Sequence, residues 1–175
     1  METHNKSLET DHTRRFAVSM VGSVQPFGKR ENITMITTLR VRCLPMEKCI
    51  RLIEIDYTAS VLDLHFAIQQ AVDFDDSHLF EFFIGRTPRN RSLYVGEKPN
   101  WDTFDPYKEY DNISLSEVFP LPSGMKLFYL FDFGDSWFFQ ITKSPRKDRK
   151  VDPDVKYPRV VDAKGENPEQ YPEWE

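Results

Sequence analysis

The sequence predicts an α+β fold: a single domain with an antiparallel or mixed sheet of hairpins packed around one main helix, in a β-grasp-like order. Residues 35–43 and 49–57 alternate between apolar and polar side chains on either side of a short turn, which is typical of a β-hairpin. Residues 61–72 then change to helical spacing. A second pair of β-rich segments, 126–132 and 137–143, predicts another hairpin.

The composition fits one globular domain and restricts its class. Of the 175 residues, 39% are hydrophobic and 14% are aromatic, which is enough to build a core on ring packing. The net charge of −5 disfavours binding to nucleic acid. No apolar run approaches the ~20 residues of a membrane span, and the N-terminal residues lack the apolar core of a secretion signal. We therefore expect a cytoplasmic protein that does not bind membranes.

The first half of the chain begins with a polar segment, residues 1–13, which we expect to be a flexible tail. Residues 14–24 give a weak strand pattern before the first hairpin. In that hairpin Cys43 and Cys49 flank the turn, and a reducing cytosol favours two free thiols over a disulfide. Ser60 is a suitable N-cap for the helix over 61–72.

A histidine lies in the middle of the apolar face of this helix. Because His65 falls between apolar residues at helical spacing, we expect it to be buried and hydrogen-bonded. The expected partner is a carboxylate or backbone carbonyl near the turn over 132–137. Replacement by Ala is expected to destabilise the fold.

The second half of the chain contains a strand over 78–84 and then a polar, aromatic and proline-punctuated stretch, 85–112, that we expect to be an exposed insertion. The domain is expected to span 14–143, including this insertion. Residues 144–175 are charged and rich in proline, which predicts a C-terminal tail or a packed extension.

The turn of the second hairpin has its own prediction. Asp132-Phe133-Gly134-Asp135 is expected to join the two strands, with Gly134 expected to supply a positive φ and the short carboxylates placed to accept turn amides. Trp137, just after the turn, is expected to pack against the helix-covered face of the sheet.

Three blocks of sequence resemble one known family, the plasmid pRiA4b open-reading-frame-three-like family. They are Leu64-His65, the run 74–82 (FDDSHLFEF) and the run 129–137 (YLFDFGDSW), within a resemblance over about 34–142. The resemblance implies a compact α+β domain found on plasmids and beside mobile elements, with some members labelled as transposon passengers or resolvase-like, but it implies no activity. Relatives usually carry an acidic residue and a histidine where this chain has Phe138 and Phe139.

A set of histidines and aspartates forms the candidate chemistry. Imidazole and carboxylate groups bind divalent metal ions and can activate water, so His65, His78, Asp132 and Asp135 are candidate catalytic residues. Asp75, Asp76 and His78 are the candidate metal ligands, with a divalent metal as the cofactor; otherwise no cofactor is expected. The competing interpretation is structural: a buried, hydrogen-bonded His65, with Asp75 and Asp76 capping the turn before the strand.

The candidate binding residues are aromatic: Tyr94, Trp101 and Trp137. With no recognisable catalytic motif, the aromatic insertion and the proline-rich C-terminal segment favour a non-enzymatic interaction module with a protein partner. The alternative hypothesis is a metal-dependent enzyme that acts on nucleic acid through the histidine and aspartate cluster.

Overall fold

The structure is a computed structural model that describes residues 34–171, apart from residues 45 and 47. The tail predicted over 1–13, the weak strand over 14–24 and the expected start of the domain at residue 14 lie outside the described residues. The described part is a single eight-stranded sheet with helices, and all its strand pairs are antiparallel. The α+β class is therefore confirmed, whereas the β-grasp-like arrangement around one main helix stays a prediction.

The elements follow one another along the chain with short connections except between β4 and β5. The strands are β1 (Met35–Cys43), β2 (Ile50–Asp56), β3 (Phe80–Gly85), β4 (Leu93–Tyr94), β5 (Lys126–Phe131), β6 (Trp137–Lys143), β7 (Arg149–Lys150) and β8 (Arg159–Lys164), and the helices are α1 (Val61–Val72), α2 (Pro106–Asp111) and α3 (Leu115–Val118). In the sheet the order is β4-β3-β5-β6-β1-β2-β8, and β7 pairs with β1. No helix between residues 34 and 171 is long and apolar enough to cross a membrane.

The first hairpin forms as the alternation predicts. β1 and β2 pair from Ile36 opposite Asp56 to Arg42 opposite Ile50, and the Cys43 amide donates to the Cys49 carbonyl at 3.1 Å. Both cysteines are free and buried. Burial raises the pKa of the Cys43 thiol to about 12, so this thiol is a poor nucleophile.

Helix α1 has the predicted bounds because its ends are capped. Ser60 and Asp63 form a reciprocal capping box in which the Ser60 hydroxyl accepts from the Asp63 amide and the Asp63 carboxylate accepts from the Ser60 amide. At the other end Asp73 adopts the left-handed conformation, with φ of 63°, and its amide donates to the Gln69 carbonyl. This reversal returns the chain towards the sheet.

The core lies between α1 and one face of the sheet. Aliphatic residues of the helix pack there against a set of strand aromatics, including Phe80, Phe82, Tyr129, Phe131 and Phe139. The rings of Phe82 and Tyr129 have centroids 4.7 Å apart, and those of Tyr129 and Phe139 are 5.6 Å apart. The high aromatic content of the sequence therefore goes largely into one packed layer.

The second hairpin is confirmed, but the prediction for Gly134 is wrong. β5 and β6 pair from Leu127 opposite Ile141 to Phe131 opposite Trp137. The positive φ values fall on Asp132, at 55°, and Ser136, at 56°. The Asp132 carboxylate accepts the Gly134 amide at 2.9 Å, and this side-chain hydrogen bond lets an aspartate hold the left-handed position.

Two segments outside the hairpins contribute buried residues. The stretch 85–112, expected to be an exposed insertion, contains β4 and α2, and its Tyr110 is fully buried with a hydroxyl that accepts the Phe82 amide at 2.9 Å. Beyond residue 144, β8 pairs with β2, and Gln170 is buried beside the loop that follows α1.

Candidate functional site

The predicted site residues meet where the loop 73–79, after α1, passes the turn between β5 and β6. The loop touches the helix on one side, because Asp76 contacts His65. It touches the turn on the other side, where the Asp132 amide donates to the Leu79 carbonyl at 3.0 Å and His78 lies beside Asp132. Four of the six candidate histidines and aspartates therefore form two neighbouring pairs.

The first pair is His65 and Asp76, and it is built around a buried imidazole. His65 Nδ1 lies 2.7 Å from the Tyr129 hydroxyl, Nε2 lies 2.7 Å from Asp76 Oδ1, and the ring stacks on Phe80 with centroids 3.7 Å apart. The predicted burial is confirmed. The predicted location of the partner is wrong, because the left-handed residues Asp73 and Asp76 turn the loop back over the helix.

The hydrogen-bond chain around His65 fixes its tautomer. The Asp76 amide donates to Gln69 Oε1 at 3.2 Å, so the Gln69 amide nitrogen faces the Tyr129 hydroxyl and donates to it at 2.7 Å. The Tyr129 hydrogen must then go to His65 Nδ1, which leaves the proton of the ring on Nε2, where it is donated to Asp76. The chain is complete only when His65 is neutral.

The pKa of His65 agrees with this chain. Burial lowers the imidazole pKa from 6.5 to about 4, and the opposing attraction of the Asp76 carboxylate does not offset it. A second ring proton would also leave the buried Tyr129 hydroxyl with no acceptor. With both nitrogens occupied and the ring sealed, His65 can hold Asp76 in place but cannot exchange a proton with a ligand at the surface.

Asp76 is the exposed end of this network. Its Oδ1 accepts from His65 Nε2 and also from the Tyr107 hydroxyl at 3.1 Å, whereas no described residue donates to its Oδ2. The side chain is 25% exposed. Burial, together with the Asp76 charge, raises the pKa of Tyr107 to about 12, so Tyr107 stays a donor at neutral pH. No sequence pattern indicates Tyr107, since its contact with Asp76 depends on how the segment before α2 folds.

The second pair, His78 and Asp132, is looser and joined by the C-terminal segment. His78 Nε2 is 3.5 Å from both Asp132 Oδ2 and the Tyr171 hydroxyl. The same hydroxyl donates to Asp75 Oδ2 at 2.7 Å. Hydrogen bonds from Ser77, then from Tyr171 and Gln170, hold the pKa of Asp75 well below its usual range.

Several of the candidate ligand atoms are hydrogen-bonded to other protein groups. In the described part of the chain, no group of three or more His, Cys, Asp or Glu side chains is placed to hold a metal ion. Both ring nitrogens of His65 are occupied, and the Asp75 oxygens accept from Gln170 and Tyr171. Asp135 is exposed on the turn.

The predicted binding aromatics separate into core and surface. Trp137 packs against Phe74 with centroids 5.3 Å apart, at the edge of the main core, and Tyr94 is half-buried in β4. Trp101 is 54% exposed and meets the 39% exposed Phe133 edge-to-face, with centroids 5.2 Å apart. Phe133 was not among the predicted binding residues, although an aromatic residue inside a polar turn indicates an exposed ring.

Exposed apolar side chains lie near the two His/Asp pairs, and we call this set, which contains four aromatic residues and one leucine, the aromatic patch. Leu79 follows His78 and bonds through its carbonyl to the Asp132 amide, next to Phe133; Tyr107 reaches Asp76, and its ring lies 6.3 Å from that of Phe66. The members of the aromatic patch are Phe66, Leu79, Trp101, Tyr107 and Phe133. Acidic residues lie beside these members in the chain or in contact with them: Asp76, Asp102, Asp105, Asp132 and Asp135.

Comparison with known proteins gives the family but no activity. The family model described as plasmid pRiA4b ORF-3-like protein matches residues 37–171, and the chain belongs to this family. A crystal structure of a protein of unknown function from Methanosarcina mazei Go1 is similar, with 26% identity and a TM-score of 0.60 over 77% of this chain and 72% of that chain. No match was found among curated proteins.

Proposed function

We propose that this member of the plasmid pRiA4b ORF-3-like family is a non-enzymatic interaction module of the cytoplasm, and that the aromatic patch is its docking surface for a protein partner. The observation that supports this most is the edge-to-face contact of Trp101 and Phe133, two large side chains that are both more than one third exposed. Aromatic residues of this kind dominate binding energy at protein interfaces.

The exposure of the aromatic patch has a physical cost that a partner would remove. Isolated exposed apolar residues are ordinary on protein surfaces, but contiguous ones are characteristic of interaction sites. The patch also lies on loops and helix surfaces held by a hydrogen-bonded framework, so that a partner would meet a largely fixed shape.

Charge indicates what kind of partner fits. The patch is flanked by aspartates, such as Asp102 and Asp135, in a chain of net charge −5. A second copy of the chain or a nucleic acid would bring like charges to this surface. The favoured partner is a protein segment that places apolar side chains on the rings and Lys or Arg side chains on the surrounding carboxylates.

The test begins with co-purification of the full chain from its native host, identification of the retained protein, and titration of the two purified proteins by calorimetry. We expect a Trp101→Ala, Phe133→Ala double variant to bind at least about tenfold more weakly, as for the loss of interface anchors. The matched control is Val160→Ala, since Val160 is also exposed but lies on β8, at the other edge of the sheet.

Several outcomes decide the proposal. Binding by a partner segment that contains Lys or Arg, weakened in the double variant and unchanged in the control, supports it. Equal binding by the wild type and the double variant overturns it. Turnover of a substrate by the isolated monomer, or metal retained at one ion per chain after metal-free purification and add-back, would favour the metal-dependent alternative instead.

A further inference from the structure

We propose that Asp76 is a preformed binding site for a cationic side chain, with its Oδ2 atom as the acceptor and the exposed rings of Phe66 and Tyr107 beside it. The inference rests on the proposed function and names the group that the partner would insert: the guanidinium or ammonium of an Arg or Lys residue.

Hydrogen bonds from a buried network hold the Asp76 side chain and backbone in place. Its Oδ1 takes hydrogen bonds from His65 and Tyr107, and its amide is held by Gln69. His65 and Gln69 are themselves buried and linked through the Tyr129 hydroxyl. This support fixes the plane of the carboxylate, so the orientation of Oδ2 is set before any ligand arrives, which reduces the entropic cost of binding.

Among the described residues, no Lys or Arg side chain compensates the negative charge of Asp76. Within the part of the chain that the structure describes, the only nitrogen of a basic side chain within 4.0 Å of this carboxylate belongs to His65. The hydrogen-bond chain makes that imidazole neutral, so Asp76 receives neutral donors alone. A cation placed on Oδ2 would add the charge-assisted hydrogen bond that the protein itself does not supply.

Two exposed aromatic side chains lie next to this site: Tyr107, which bonds to Asp76, and Phe66, which is close to Tyr107. Phe66 and Tyr107 are both exposed, their centroids are 6.3 Å apart, and the His65 ring lies 5.0 Å from Phe66 and 5.9 Å from Tyr107. A cation bound at Asp76 would therefore lie beside these two exposed rings, at the hydroxyl edge of Tyr107, and the apolar surface of the rings would pack against the aliphatic stem of the Arg or Lys side chain. The carboxylate selects for the positive charge, and the rings favour the long aliphatic stem that carries it.

The experiment uses N-acetylarginine amide as the probe and the full chain labelled with ¹⁵N. We expect saturable shifts in the amide signals of Phe66, Asp76 and Tyr107 at millimolar probe. The uncharged isostere N-acetylcitrulline amide is expected to give none. In the Asp76→Asn variant, binding of the arginine probe should weaken by at least about tenfold, because the ion pair is lost.

The Asp76→Asn variant is suited to the test because Asn keeps acceptors for His65 and Tyr107 and tolerates the positive φ of 57°. Asp73→Asn is the matched control: it removes the same charge three residues earlier, also at a left-handed position. We expect it to bind the probe like the wild type. Binding of the probe to Asp73→Asn would also show that the loss of binding in Asp76→Asn is not caused by the change in net charge alone.

Equal binding by the wild type and Asp76→Asn overturns the inference, as do shifts by citrulline equal to those by arginine. The inference is also overturned if magnesium ion shifts these amide signals in the wild type but not in Asp76→Asn, while the arginine probe shifts none of them. Partner binding that needs Trp101 and Phe133 but not Asp76 contradicts this inference alone. Arginine binding at Asp76 with no effect of the Trp101 and Phe133 variants on the partner contradicts the proposed docking surface alone.

Discussion

The loop 73–79 carries two His/Asp contacts that differ in almost every physical respect. His65 is 0% exposed and meets Asp76 at 2.7 Å, whereas the His78 side chain is 38% exposed and lies 3.5 Å from Asp132. In the first pair every polar atom of the imidazole has a partner; in the second the contacts are long and reach the solvent. Burial, and not the residue types, therefore decides that the first pair is structural support and the second is surface.

The largest expected difference between the pairs is in stability. His65→Ala should lower the free energy of unfolding by about 2–4 kcal/mol, because it leaves a cavity against Phe80 and unpairs the Tyr129 hydroxyl. His78→Ala should change it by no more than about 0.5 kcal/mol, as for an exposed residue. Urea unfolding followed by circular dichroism measures both; similar losses would contradict the distinction.

A single hydroxyl in the first pair should have nearly as large an effect. Tyr129→Phe keeps the ring but removes the group between His65 and Gln69, which strands a buried acceptor and a buried donor. We expect a loss of about 1–3 kcal/mol. Tyr107→Phe is the control, since its hydroxyl bonds only to the partly exposed Asp76; a loss as large as that of Tyr129→Phe would show that the buried chain is not special.

The buried histidine should also make stability depend on pH. The pKa of His65 is lowered in the folded protein from 6.5 to about 4, so the unfolded chain binds the proton more tightly in that interval. Stability should therefore fall as the pH decreases through this window, by about 2 kcal/mol between pH 7 and pH 5 from this group. Unfolding curves at the two pH values should show that part of the dependence in the wild type and in His78→Ala, but not in His65→Gln.

The smallest expected effect is in the turn beside the second pair. Gly134 does not have a positive φ, but an added Cβ would lie 3.2 Å from Asp132 Oδ1, so that carboxylate must shift by a few tenths of an ångström. Gly134→Ala should therefore lower stability by less than about 1 kcal/mol. Asp132→Ala should cost more, since the Gly134 amide loses its acceptor and Ala is less suited to a φ of 55°. A lower melting temperature for Gly134→Ala than for Asp132→Ala would support the original prediction that the turn depends on the glycine.

Much of the fold was predictable because it depends on local sequence. Ser60 and Asp63 set the start of α1, and the apolar spacing around His65 gave its burial. The alternating segments gave both hairpins. In each case the determining interactions lie within a few residues, or between strands joined by a short turn, so the pattern in the sequence was sufficient.

The site was less predictable because it depends on contacts between distant segments. Asp76 faces His65 only because Asp73 and Asp76 take left-handed conformations that a sequence pattern does not specify. Tyr107 and Tyr171 reach the loop from 31 and 96 residues away from their aspartate partners. A list of histidines and aspartates therefore gave the correct neighbourhood without the separation into two pairs.

We infer that His65 positions Asp76 and does not exchange protons with a ligand. Two-bond ¹H–¹⁵N correlation spectra of the imidazole, recorded from pH 7 down to pH 5, test it most directly. The structure predicts a neutral ring with its proton on Nε2 throughout this range. An imidazolium at His65 above pH 6, or a proton on Nδ1, would contradict the claim.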